Sequence, residues 1–209
     1  MPKSTEKKVI TIQSLKLETV TVPIKGIMPL IVHNWSEKAK RQMLEKQMAG
    51  KNAPKAKKEP KDPHADYMSS LYPMPSGGWG FPAPGFKASI VAGCRMFDGL
   101  PMTLAKVIIR VNGYLVKIDG EHRMREDPVR LETGVADLRY RAEFPEWSAT
   151  LSITYNANIL KVEDVVSLVN AAGMGGIGEW RPSAPKSLSG TFGTFEVDTS
   201  KQIETKGVA

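Results

Sequence analysis

Cysteine is almost absent: the 209-residue chain carries one, Cys94. A disulfide framework within the chain is excluded, and Cys94, on the apolar side of a predicted helix, reads as a small core residue. Histidine is nearly as scarce. None of His33, His64 and His122 has a second histidine four residues away or a cysteine pair, so the spacing of a zinc site is missing. No apolar run approaches the roughly 18 residues of a membrane span. The polar start, Met1 to Lys8, has no apolar stretch behind it, so no secretory signal is expected and the cytoplasm is the expected compartment. There is no Gly-x-Ser-x-Gly elbow. The glycines from Gly173 to Gly178 do not end in Gly-Lys-Ser/Thr, so they are not a Walker loop, and they follow a predicted helix instead of a strand, which argues against a dinucleotide fingerprint.

Two remaining catalytic readings carry little. Asp119, Glu121, Glu126 and Asp127 cluster in sequence as metal-nuclease acids would. Their neighbours His122, Arg123, Arg125 and Arg130 make a loop with surface ion pairs the better reading. His33, before Asn34 and Trp35, can touch a phosphate but reads first as a structural hydrogen-bonding residue. No catalytic residue, metal or cofactor is assigned.

What is present is positive charge, unevenly placed. Lys and Arg number 29 against 22 Asp and Glu, a net +7. Residues 36–62 hold nine basic groups against four acidic ones, so +5 of that excess lies in one segment. A basic segment points to an acidic partner, nucleic acid first. It can clamp phosphates, pack on a neighbouring copy, or serve only as a solvated loop.

The periodicities give an ordinary α+β chain. Residues 1–8 are expected to fray. Val9 to Ile27 alternate as one or two strands with a phase slip near Ser14. A serine-capped helix should run from Ser36 to near Gly50, followed by a mobile, Lys- and Pro-rich loop over 51–63. Residues 67–84 read as loop. Phe86, Ile90, Cys94 and Phe97 mark a helix over 86–97. Leu104–Val111 reads as a strand turning at Gly113 into 114–118, a hairpin. A charged connector over 121–129 leads to a short edge strand at 129–131. Asp137–Phe144 and Trp147–Tyr155 read as a second strand pair. Val162, Val165, Val166 and Val169 mark a helix over 161–172 that Gly173 ends, and Thr194–Val197 is the last strand. Residues 198–209 are expected to be a disordered tail. One domain over 1–209 results, with the basic helical arm and flexible loop at 36–63 inserted. The expected fold is a ferredoxin-like, RRM-like antiparallel sheet with helices on one face, and the hairpin at 104–118 as a β-hairpin insertion. Aromatics on the open face of such a sheet stack bases in RNA-recognition domains.

The stretch from Gly173 to Gly193 carries six glycines in 21 residues, together with Trp180, Arg181 and Lys186. Glycine lets backbone approach a ligand closely. Backbone N–H groups and Arg181 would meet phosphates while Trp180 stacks on a base. The same composition also suits a long turn that binds nothing. Arg139, Tyr140, Arg141, Phe144 and Trp147 interleave guanidinium groups with rings. Arg139 and Arg141 share a strand face, and Trp147 continues an apolar stripe, which favours the core. Lys87 at a helix start, and Lys38 and Arg41 on the arm, complete the candidate nucleic-acid contacts.

Two segments carry a resemblance. Phe81-Pro-Ala-Pro-Gly-Phe-Lys-Ala-Ser-Ile90, opening a helix, is similar to a proline-then-lysine element of the repeat-associated mysterious protein (RAMP) superfamily. That superfamily includes backbone subunits of CRISPR effector filaments. Gly173, Gly175, Gly176 and Gly178, with Gly190-Thr-Phe-Gly-Thr-Phe-Glu-Val197, resemble its C-terminal glycine-rich loop. The whole chain also looks like a family of tailed-phage proteins with Pro-Leu-Ile-Val-His-Asn-Trp-Ser-Glu-Lys-Ala and Gly-Ile-Gly-Glu-Trp-Arg-Pro segments. The RAMP resemblance implies an RRM-like fold and single-stranded nucleic-acid binding, often in filaments. The expected function is sequence-independent binding of single-stranded nucleic acid, single-stranded DNA first, by a self-associating protein of phage DNA metabolism without enzymatic activity. Its alternatives are a structural or assembly protein of a phage particle and a RAMP-like nuclease.

Overall fold

The computed structural model describes residues 14–35, 37–49, 60–130, 134–185 and 188–207, with only the backbone at 37–39, 46 and 49. In chain order the elements are β1 (Leu17–Gly26), β2 (Leu30–Val32), α1 (Glu37–Ala49), α2 (Pro63–Ser69), β3 (Tyr72–Pro73), β4 (Trp79–Pro82), α3 (Ala83–Gly93), α4 (Met102–Ile108), β5 (Ile109–Val111), β6 (Leu115–Asp119), β7 (Arg123–Arg130), β8 (Ala136–Phe144), β9 (Ser148–Asn156), α5 (Val162–Gly175), β10 (Phe195–Val197) and β11 (Glu204–Gly207).

The larger sheet is antiparallel, ordered β10-β1-β9-β6-β4-β3, with β11 also on β1 and β5 also on β9. Its centre is the β1–β9 pair, registered from Leu17↔Asn156 to Lys25↔Ser148. Val20, Val22 and Ile24 alternate with polar residues, as do Ala149, Leu151, Ile153 and Tyr155, and all seven are buried on one face. Each such Val, Ile or Leu removed from water contributes about 1.5–3 kcal/mol. On that face lie α3, through Phe86 and Ile90, and α5, through Val165, Leu168, Val169 and Ala172. α5 begins where the Asp164 carboxylate accepts from the Lys161 N–H, 2.9 Å, with Glu163 also in its first turn.

The other face of the β1–β9 pair is a sheet of hydroxyls. Thr19, Thr21, Ser148, Thr150, Ser152 and Thr154 share it; Thr19 and Thr154 are hydrogen-bonded at 2.9 Å, and Asn112 donates to Ser152 and Thr154, both at 3.0 Å. No ring stands on this face of β1, β5 or β9, so the stacking aromatics expected on an open sheet face are not there. Tyr155 and Trp147 point into the core instead, and Trp147 donates to the Met28 carbonyl, 3.0 Å.

Several expected elements change type. Residues 104–108 are helical, not strand, because Ala105 and Ile108 pack at helical spacing while Leu104 and Val107 stay exposed. The expected hairpin insertion is one interrupted strand: β5 and β6 do not pair with each other but lie in succession along β9. Val111 faces Ile153 and Ile118 faces Ala149, seven residues against four, and the surplus bulges out around Gly113, φ +86°. The charged connector is a full strand, β7, paired with β8 over eight registered positions. β8 and β9 are not a hairpin pair but belong to different sheets, since β8 lies between β2 and β7. α2, with Asp62 capping Ala65 N at 3.0 Å, replaces part of an expected loop, and β11 pairs with β1 where a disordered tail was expected. The strand at Val9–Ile12, the serine cap at Ser36 and most of the 51–63 loop lie outside the described residues. No helix among the described residues is long and apolar enough to cross a membrane.

α5 and β10 touch so closely at Gly173 that an added Cβ would lie 1.7 Å from the Phe195 carbonyl oxygen. Gly173→Ala forces this backbone contact apart and should destabilise the fold by about 1–3 kcal/mol in urea unfolding. Gly207→Ala serves as the control, since nothing lies within 4 Å there and its φ is not positive.

Candidate nucleic-acid interface

The smaller sheet, β2-β8-β7, has two unlike faces. Ala142 and Phe144 turn toward the core. By strand alternation Arg139, Arg141 and Glu143 of β8 share the other face with Arg123, Arg125 and Asp127 of β7. The glycine-rich loop lies over this charged face. Glu179 N–H donates to the Ile31 carbonyl, 2.9 Å, and Gly193 N–H donates to that of Pro29, 2.8 Å. A side chain at Gly178, φ +78°, would collide with Ile31, its Cβ 2.5 Å from that carbonyl oxygen. The loop also closes on itself, Ile177 N–H to Gly193 O at 3.0 Å and Phe192 N–H to Trp180 O at 3.2 Å.

Between strand face and loop lies a layer of opposed charge. Glu143 accepts from Arg123 and Arg125, both at 2.8 Å, and Asp127 accepts from Arg125 at 2.7 Å. The Arg125 guanidinium sits 4.8 Å from the centre of the Phe192 ring and 5.6 Å from that of Trp180. Glu179, from the loop, lies 3.8 Å from His33 and 3.9 Å from Arg141. Its carboxyl is held below the usual range, by His33 first and, against burial, by the Arg141 and Arg181 charges. Burial pushes the Glu143 carboxyl up, but the hydrogen bonds from Arg123 and Arg125 outweigh it and leave it lowered.

Two openings flank the loop and share Glu179, Arg181 and Pro185. One, about 540 Å³, lies against the small residues Gly85, Ala88, Ser89 and Ala92 of α3, with His33 and Tyr72 on its wall. The other, about 750 Å³, is lined by Arg139, Trp180, Arg181, Gly190 and Phe192 among others. Three of the expected contacts, Arg139, Trp180 and Arg181, therefore meet in one groove. Arg181 also donates to the Gly178 carbonyl, 2.7 Å, which fixes its direction. Trp180 is half-buried, with Arg125 against its ring and Phe192 packed edge-on at 6.2 Å.

The other expected contacts do not join them. Arg141, expected on an accessible hairpin, is only 2 % exposed because the loop covers its face. Lys87 is half-buried on α3 and lines neither opening. Arg41 is exposed on α1, away from both openings, while Lys186 and the Lys38 side chain lie outside the described residues. The acids of 119–127 separate: Asp127 is buried in the charged layer and Asp119 pairs with Lys117 at the surface. Among the described residues no group of three His, Cys, Asp or Glu could hold a metal ion. Arg125, Glu143, Glu179 and Phe192 were not expected at the site. The alternating charge of Arg123-x-Arg125-x-Asp127, matching Arg139-x-Arg141-x-Glu143, is the signal that pairs the two strands.

No protein-family model matches the sequence, and no curated protein matches it. Among solved structures the chain is similar to one in the cryo-EM structure of the Type III-B Cmr-beta bound to cognate target RNA. That alignment has a TM-score of 0.49 at 12% identity and covers 93% of this chain and 62% of that one. It is also similar to Cmr6 from Pyrococcus furiosus, with a TM-score of 0.42 at 11% identity, covering 88% of this chain and 100% of that one. The chain spans less than two thirds of the length of the first of these.

Glu143 is ionised more readily in the folded chain than in the unfolded one. Its contribution is therefore complete above the ordinary glutamate value of 4.5 and drains away as pH falls through the lowered folded value. Arg125→Met leaves Glu143 and Asp127 buried with fewer partners and should cost about 3 kcal/mol at neutral pH. The gap to wild type should narrow below about pH 4. Urea unfolding across pH measures both, and a gap independent of pH would show that Arg125 acts through packing alone.

Proposed function

We propose that this protein binds single-stranded nucleic acid without reading its sequence, single-stranded DNA first, and holds the strand in the groove between β8 and the glycine-rich loop. The observation that carries the reading is the meeting of Arg139, Arg181 and the Trp180 ring in that one groove. Guanidinium groups neutralise successive phosphates and release counterions, while a fixed ring offers a base a stacking surface worth about 1–3 kcal/mol and indifferent to base identity. Because Arg125 lies against the Trp180 ring, the base stacks on whichever part of the indole the groove leaves open.

The core elements in chain order are β1, α3, β5 with β6, β9, α5 and β10, and in space the strands run β10-β1-β9-β6. That order supports a ferredoxin-like, RRM-like core, but one used at its loop edge and not across its hydroxyl face. α1 exposes Met43, Leu44 and Met48, which supports self-association along the strand. A place in phage DNA replication or recombination, in the host cytoplasm, goes with this reading, and no catalytic role is assigned. The exposed apolar residues of α1 also favour a second reading, an assembly protein of a phage particle whose arm binds protein.

Fluorescence anisotropy with a labelled single-stranded oligonucleotide, across a salt series, tests the proposal. Affinity should fall with salt for any base sequence. Arg139→Ala and Arg181→Ala should each flatten the slope of log affinity against log salt by about 0.7. No binding at low salt overturns it. The oligonucleotide should remain intact after incubation with magnesium or manganese. Light scattering separates the second reading: assembly that needs no oligonucleotide, and is lost in Leu44→Lys, favours the particle protein.

A further inference from the structure

We infer that a separate cleft beside β8 is a seat for a phosphate-class oxyanion, with Arg141 as its principal donor. The cleft, about 790 Å³, is walled by β8, by the turn through His33, Asn34 and Trp35, and by residues of α1 and α2. Arg141 lines it and lines neither opening beside the loop. The cleft shares Arg139 with the loop groove and His33 with the other opening, but the inference rests on Arg141 and does not need a strand in that groove.

Arg141 is buried, yet its Nε and Nη1 have no hydrogen-bond partner. The nearest carboxylate oxygens are Asp127 Oδ2, 3.8 Å from Nη1, and Glu179 Oε2, 3.9 Å from Nη2, both beyond hydrogen-bond reach. Each carboxylate is engaged elsewhere through its other oxygen: Asp127 accepts from Arg125 on Oδ1 and Glu179 faces His33 with Oε1, while Asp127 Oδ2 is itself buried without a hydrogen-bond partner. A covered guanidinium without an acceptor costs more than its removal from water alone. Burial accordingly holds Arg141 below its usual value against the pull of Glu179.

The other charges on the cleft wall are already matched. Lys61 donates to Asp137 and to the Leu138 carbonyl, and Arg139 lies 3.7 Å from the same Asp137. On the cleft wall Lys61, Arg139 and Arg141 outnumber Asp66 and Asp137, and Arg141, in long ion pairs with Asp127 and Glu179, keeps Nε and Nη1 without a hydrogen-bond acceptor. A planar guanidinium presents paired N–H donors at the spacing of two phosphate oxygens, which a point charge such as Lys does not. The cleft is large enough for a phosphate carrying a further group. The ligand is thus a free phosphate compound or a phosphate of a nucleic-acid strand.

The test uses the full-length, ¹⁵N-labelled protein titrated with sodium pyrophosphate, with sodium chloride at matched ionic strength as control. The Arg141 Nε–H resonance, assigned from its own backbone, should shift saturably with pyrophosphate and not with chloride. Arg141→Met keeps the volume and removes the donors, and should weaken pyrophosphate binding at least about tenfold. An Arg141 resonance that does not respond, or unchanged affinity in Arg141→Met, overturns the inference. Should that variant not fold, the wild-type resonance decides alone. A 5′-phosphorylated oligonucleotide that competes with pyrophosphate for the Arg141 shift identifies a strand phosphate as the ligand. Binding of both together identifies the free anion.

Discussion

Arg125 is the contact on which the site depends. Its guanidinium is held by Asp127 and Glu143 of the strands and lies against Phe192 and Trp180 of the loop. Two nearly buried carboxylates on a strand face would otherwise be intolerable, since each would be stripped of water without a counter-charge. A cation over an aromatic face gains about 0.5–2 kcal/mol, more as water is excluded. The charged strand face and the glycine-rich loop therefore stabilise each other through one side chain. Loosening either exposes the other to solvent.

The chain reaches this arrangement by leaving α5 abruptly. Gly176, φ +65°, throws the backbone out over the smaller sheet, and Gly193, φ +67°, brings it back to β10 beside β1. Between them Trp180 itself adopts φ +54°, which disfavours any residue with a Cβ. The Phe192 N–H bond to the Trp180 carbonyl and the Glu179 N–H bond to Ile31 of β2 offset that strain. The indole is consequently aimed by backbone geometry and is not a freely swinging side chain. That is how a loop with so many glycines presents a defined groove.

Alternation and helical spacing made the central elements legible. Val20, Val22 and Ile24, Leu151 and Ile153, and Val165 with Val169 lie where their periodicity puts them, because burial on one face is what those patterns encode. The misread elements share a physical cause. Leu104 to Val111 is rich in residues that suit strands, and only its packing against α3 makes its first half helical. Arg123 to Arg130 alternates charge instead of apolarity, so its strand period carried no hydrophobic signal. The divergence of β8 from β9 follows from β8 pairing with β2, a partner more than a hundred residues earlier. At the site Trp180 and Arg181 were legible from composition. The burial of Arg141 was not, because the loop that covers it comes from some forty residues further along the chain.

The Thr- and Ser-lined side of the β1–β9 pair has a consequence for where ligands can be held. Short hydroxyl side chains there are bonded to one another and to Asn112. With no ring among them, they offer a nucleobase no stacking surface. The crossing between α5 and β10 is where the chain instead brings a ring and guanidinium groups to one groove.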